Sequence, residues 1–284
     1  SMNDKTFTLT VNVYADGKVV TADNTYKEAL LNGTDPVLAS NLVPVVISDT
    51  GVVTKADTSK EWYSYEKKNW ANSVILKDKS VVYKNGEEIP EDNIESYFVW
   101  IPRYKYKIFN TGSYTGLTTI SNSTQTIEVV FENKDTTPSN GTTVGSYLTH
   151  PAFTSLDVNG LWVGKFETGY DGATTTAAAQ VNSVDTSKIV IKPNVYSWRN
   201  ITVGNAFKNS YEYRRDLDSH MMKNTEWGAV AYLQHSAYGS QASVRINNNS
   251  SYITGYAATV EPTLGYNSGN SIEGNRNEYI SSGT

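Results

Sequence analysis

The sequence predicts an α+β protein: a small, mostly-β region over residues 1–94, then a domain over residues 95–284 with two helices among short strands. Three observations lead there. Apolar and polar residues alternate in several short segments bounded by tight-turn dipeptides, as half-buried antiparallel strands require. Helical spacing of apolar groups is clear only twice, and late in the chain. The segments between are dense in Thr, Ser, Asn and Gly, and the chain carries 20 tyrosines in 284 residues, a composition of loops joining strands.

Residues 6–14 alternate, and Asp16-Gly17 supplies a two-residue turn before residues 18–21, which predicts a hairpin. Residues 26–31 form a short helical candidate ended by Asn32-Gly33. Residues 36–47 are rich in Val and Leu, and Pro44, having no N–H to donate, points to an edge strand. Aromatic residues Trp62, Tyr63, Tyr65 and Trp70 flank Lys67-Lys68-Asn69, and the apolar pieces 74–76 and 81–83 bracket a charged turn before Asn85-Gly86.

The second region opens on residues 97–109. Beyond Pro102, Tyr104, Tyr106 and Ile108 alternate with Arg103, Lys105 and Lys107, which predicts one aromatic face and one solvated, basic face. Strands are predicted at 126–131 and 161–168, separated from the helices by a Thr/Ala-rich loop at 173–187. Val203, Ala206, Phe207 and Ser210 fall at helical spacing. So do Trp227, Val230, Ala231 and Gln234, in the clearest helix of the chain. Asn224 or Thr225 is placed to cap that helix, Glu226 suits the positive end of its dipole, and Gly239 offers an exit. Residues 241–284 read as short strands in Asn/Ser/Gly-rich loops.

Composition excludes several function classes. With 24 Lys and Arg against 29 Asp and Glu, the net charge is -5. That argues against nucleic acid as a partner, since phosphate binding needs clustered positive charge. There is no cysteine, so disulfides, thiol catalysis and thiolate metal sites are out. No apolar run approaches the roughly 18 residues of a membrane span, so no membrane insertion is expected within this sequence. Ser1-Met2 reads as the remnant of a tag before a chosen start.

Three segments in order carry a resemblance: Trp162-Val-Gly-Lys-Phe-Glu-Thr168, Pro193-Asn-Val-Tyr-Ser-Trp198 ahead of a helix, and Asn224-Thr-Glu-Trp227 opening another. With Phe98-Val-Trp-Ile-Pro102 as an opening strand, residues 95–255 resemble the formylglycine-generating enzyme (sulfatase-modifying factor) branch of the C-type-lectin-like fold. The resemblance implies short, twisted antiparallel strands around two helices. It extends to surface and prophage-encoded proteins of Gram-positive gut bacteria that carry this lectin-like module. The departures are informative. The oxidising members of that family hold copper with active-site cysteines, which are missing here. Iron-dependent relatives use a His-x3-Glu-x-His-like cluster, whereas His150, His220 and His235 stand apart. The late Tyr-Asp-Met-x-Gly-x-x-Trp-Glu-like and Arg-Gly-Gly-Ser-Trp-like segments are missing too, so the C-terminal part reads as diverged or incomplete.

Glu167 and Glu226 are the carboxylates to weigh as a glycosidase pair. The plainer reading gives Glu226 to the helix N-terminus and Glu167 to a loop hydrogen bond. No Gly-x-Ser-x-Gly elbow and no phosphate-binding loop occurs. No cofactor is expected; calcium is the one ion considered, with Asp216 and Asp218 as candidate ligands beside Asp171 and the Asn247-Asn-Asn249 run. The strongest binding signal is the Tyr/Asn-rich tail: Arg245, Asn247, Asn248, Asn249, Tyr252, Tyr256, Tyr266 and Asn267. Asn supplies adaptable hydrogen bonds and Tyr rigid aromatic contact area; the alternative is that these are ordinary turn residues. In lectin-like phage proteins diversified by retroelements, variable Asn, Tyr and Ser positions also lie late in the fold. The expectation is therefore a non-catalytic binding protein at a cell or virion surface, with a host-surface glycan or protein as partner. A structural protein of a pilus, fibre or virion is the alternative, and a degenerate formylglycine-generating-type enzyme a more remote one.

Overall fold

The computed structural model describes residues 32–107, 127–141 and 146–239. The expected hairpin at 6–21, the short helix at 26–31 and the tail strands beyond 241 lie outside these residues. Along the rest run ten strands and three α-helices. The strands are β1 (Val43–Ile47), β2 (Val53–Lys55), β3 (Asn72–Leu76), β4 (Ile94–Pro102), β5 (Tyr104–Lys107), β6 (Glu128–Phe131), β7 (Leu148–Thr149), β8 (Gly160–Gly164), β9 (Gly169–Tyr170) and β10 (Ile189–Val190). The helices are α1 (Pro151–Thr154), α2 (Val203–Tyr213) and α3 (Asn224–Gln234). The architecture is mixed α+β, with mostly antiparallel pairing and few helices.

The main sheet has the order β2-β1-β3-β4-β8, every neighbour antiparallel. It takes strands from both sides of residue 94: β3 and β4 pair Asn72 with Val99 and Val74 with Tyr97. Pro44 does not mark an edge, because β1 lies between β2 and β3. The reason is local. Its carbonyl accepts from Ala56 N at 2.9 Å, and in an antiparallel strand the N–H and C=O of one residue point the same way. The missing donor thus faces the side where β2 has already ended, and the ladder to β3 loses nothing.

Two apolar clusters cover the sheet. Val45, Val53, Val74, Leu76, Ile94 and Tyr97 form one. The other is aromatic: Tyr65, Trp70, Trp100, Tyr104, Phe131 and Phe153 meet Ala229 and Leu233 of α3. Each such side chain contributes about 1.5–3 kcal/mol when fully withdrawn from water. Most of the polar tips are satisfied, as burial demands: Tyr65 Oη donates to Trp100 O at 2.9 Å, Tyr104 Oη donates to Ala229 O at 2.7 Å and Trp100 Nε1 donates to Thr34 O at 2.9 Å, while the buried Trp70 Nε1 has no partner among the described residues. Gly160 is needed at the start of β8, since a Cβ there would lie 2.4 Å from the Trp100 ring.

β5 leaves β4 and organises a second sheet of order β6-β5-β7. Tyr104 and Tyr106 point inward, as their alternation predicts. Arg103 does not belong to a solvated face: it is only 1% exposed, with Nε 3.2 Å from Glu132 Oε1. A guanidinium so buried must bring a counterion with it, because solvation lost in the interior is otherwise not replaced. Lys107 does reach the surface, where it pairs with Glu128 at 2.7 Å.

Both long helices form where the spacing predicts them, but each turns a different face inward. In α3 the buried residues are Glu226, Ala229 and Leu233, while Trp227 stands 53% exposed. Its N-cap is Lys223, not Asn224 or Thr225; Lys223 N donates to the Glu226 carboxylate at 2.7 Å. In α2 the exposed stripe is Val203, Phe207 and Tyr211. The inner face is polar instead. Asn209 bonds Ser183 O and Asp185 N, and Tyr213 Oη donates to Glu95 at 2.6 Å. The apolar piece at 81–83 forms no strand, and Val82 is 89% exposed.

Candidate functional site

The residues expected to bind ligand, Arg245, Asn247, Asn248, Asn249, Tyr252, Tyr256, Tyr266 and Asn267, lie outside the described residues. Asp216 and Asp218 follow α2 in the 3-10 turn Arg215–Leu217 and its cap. Arg214 grips the Asp216 carboxylate from Nε at 2.8 Å and Nη2 at 2.7 Å. That contact holds its pKa down to about 2. Asp218 adopts a left-handed conformation with φ 55° and gives its carbonyl, not its carboxylate, to His220 Nδ1 at 2.8 Å. The two side chains are not brought to a common centre with a third acidic or histidine ligand; among the described residues no group of three forms such a centre.

The carboxylates weighed for hydrolysis serve local roles. Glu167 accepts from Ser197 Oγ at 2.7 Å. Glu226 binds His220 Nε2 at 2.9 Å and the Lys223 amide. Burial alone would lower the pKa of His220, but the Glu226 carboxylate and the Asp218 carbonyl raise it on balance. His150 is buried among Tyr104, Tyr106, Phe153 and Tyr232, with ring centroids 5.3–6.0 Å away. Its Nδ1 accepts from Ala152 N at 3.2 Å, capping α1, and burial lowers its pKa to about 4. It is a neutral, structural imidazole.

A concave site lies elsewhere, at the end of the main sheet. A cleft of about 350 Å³ opens between the β1–β2 turn, the exit from β8 and the 193–195 loop. Ile47, Val53, Phe166 and Val195 supply apolar wall, and Tyr97 meets Phe166 edge-on at 5.7 Å. One rim is a charged cluster. Lys192 Nζ lies 3.2 Å from Glu91 Oε1 and donates to Glu91 O at 2.7 Å, while Tyr97 Oη donates to the other Glu91 oxygen. Burial and the neighbouring carboxylate push the Tyr97 phenol above its ordinary range. On the inner wall, Lys165 Nζ donates to Asn72 Oδ1 at 3.2 Å. Burial lowers the pKa of this amine to about 8. Asn194, at φ 58°, sets the loop that closes the opposite side.

Sequence reasoning did not single out these residues as a site, although it quoted the segments that hold them. Lys165 lies in Trp162–Thr168 and Asn194 in Pro193–Trp198. A signal was available: Lys165 follows Val163 by two, placing a cation on an apolar strand face. No family model matches the chain, and no curated protein or solved structure matches it significantly.

Proposed function

We propose that the chain is a non-catalytic ligand-binding module of C-type-lectin-like type, displayed on a cell or virion surface, that binds a host-surface glycan in the cleft at the end of its main sheet. The observation that carries this reading is the cleft itself. Its volume lies at the lower end of the range of about 300–1,000 Å³ used by small-ligand sites. An aromatic and aliphatic wall faces the paired Lys192 and Glu91, which offers a sugar both a stacking surface and opposed donors and acceptors. The lectin-like assignment is supported by the order of the three segments named above, two of which line or border the cleft. The local hydrogen bonds of Glu167 and Glu226 favour binding over hydrolysis.

The test is a glycan-array screen of the chain and of Val195→Trp, whose larger side chain would fill the cleft. Concentrated hits that vanish in the variant, with its unfolding midpoint retained, are expected. A blank array, or hits untouched by the substitution, would overturn glycan binding in the cleft.

One observation favours a structural role in a fibre or virion as the second reading. Val203, Phe207 and Tyr211 form an exposed stripe on α2, with the Phe207 and Tyr211 rings stacked at 6.0 Å and Arg215 lying 4.7 Å over Tyr211. Under that reading sedimentation finds an oligomer that Phe207→Glu disperses; a monomer for both chains removes it.

A further inference from the structure

Lys165 of the cleft wall reaches past it to the carboxamide of Asn72, 93 residues away in the chain. Asn72 of β3 pairs with Val99 of β4, and Val99 pairs with Val163 of β8. These three residues share a sheet face, and Lys165, two beyond Val163, returns to it. The amine therefore reaches across β4 to the amide. Both ends are held. Asn72 is 2% exposed, and its Nδ2 donates to Trp70 O at 2.7 Å, fixing which amide atom faces the lysine. The Lys165 backbone N–H is bound to Tyr97 O at 3.0 Å. The hydrogen bond holds Nζ at the carbonyl oxygen, one bond away from Cγ, and confining the two groups in this way raises their effective concentration.

We propose that Lys165 and Asn72 become joined by an isopeptide bond between Nζ and Cγ, a covalent tie from β3 to β8 across β4. The neutral amine adds to Cγ, the Nζ–Cγ bond forms and the Cγ–Nδ2 bond breaks. One of the two Nζ protons passes to the departing nitrogen, which leaves as ammonia; the other stays on the new amide. Nothing is oxidised or reduced, and no co-reactant is needed. A neutral amine is the requirement, and with its pKa lowered to about 8 Lys165 is neutral in an appreciable fraction of molecules near pH 7. The product also replaces a partly buried cation with a neutral amide, removing a desolvation cost. A tie closing so long a loop restricts the unfolded chain as a disulfide would, in a protein without cysteine. This inference does not depend on what the cleft binds.

The experiment is the intact mass of the purified full chain, followed by a tryptic map. A mass below the sequence value by one ammonia is expected, with a branched peptide containing Asn72 and Lys165 and no cleavage after Lys165. Asn72→Ala and Lys165→Met should each restore the full mass of their own sequence and lower the unfolding midpoint. An unmodified mass, or cleavage after Lys165, overturns the proposal. So does ammonia loss mapped to an Asn-Gly pair such as Asn32-Gly33, Asn85-Gly86 or Asn159-Gly160, where a cyclic imide loses the same mass. Because the map is made on the wild-type chain, poor folding of a variant does not blunt it.

Discussion

The aromatic core around β5 and the turn that joins α2 to α3 both hold charged or titratable groups, but under different constraints. In the core, Arg103 and Glu132 are 1% and 3% exposed, and His150 sits uncharged among aromatic rings. In the turn, His220 retains 29% of its side-chain exposure and Asp216 retains 55%, so water shares in their solvation. The difference teaches where electrostatics decides stability. A charge withdrawn from water depends wholly on its partner, whereas a half-exposed one falls back on solvent.

The largest effect should come from breaking the core pair. Glu132→Leu leaves Arg103 buried without its carboxylate and is expected to cost about 3–5 kcal/mol, read from chemical denaturation. The double variant Arg103→Met/Glu132→Leu should recover most of that loss. If the single variant were as stable as wild type, the core and the turn would not differ in the way described.

A pH titration of stability sharpens the same contrast. His150 has a folded pKa of about 4 against an ordinary 6.5, so the unfolded chain binds more protons between those values. Its neutral burial therefore favours the fold above pH 6.5, and that contribution falls by up to about 3 kcal/mol as the pH drops to 4. His150→Asn, which keeps a capping acceptor but does not titrate, should flatten this slope. His220 works with the opposite sign. Its raised folded pKa adds stability below pH 6.5, and that addition is lost as the pH rises through the folded value.

The smallest effect is expected at the start of α3, where Glu226, itself buried, faces the half-exposed His220 of the turn. Glu226→Gln removes the carboxylate that serves both the Lys223 amide and His220, at a cost of about 1–2 kcal/mol. The His220 pKa, followed by NMR, should fall in the variant. An unchanged His220 pKa would sever the link between the two residues.

What could be read in advance follows from the range of each interaction. Tyr104 and Tyr106 were legible as an inward face because strand alternation is local. The positions of α2 and α3 were legible for the same reason, through helical spacing. Their buried faces were not. Trp227, the first of the spaced residues, is exposed, and Ala229 and Leu233 face the core, where the rings gathered from β5, β6 and α1 leave room for small and aliphatic groups. Arg103 looked like a surface cation because nothing near it in sequence announces Glu132, 29 residues on. The cleft was hidden for the same reason: Glu91, Lys192 and Lys165 belong to segments that only the sheet brings together.

The sequence by itself determined an α+β class, most of the strand and helix positions among the described residues, and the absence of thiol chemistry. These follow from periodicity, composition and contacts within a few residues. Only the tertiary structure decided that β4 unites the two halves of the chain in one sheet, that Pro44 sits inside that sheet, and that Lys165 meets Asn72. Those depend on strand order and register, which arise from burying many weakly specific apolar surfaces at once and are not written in any one segment.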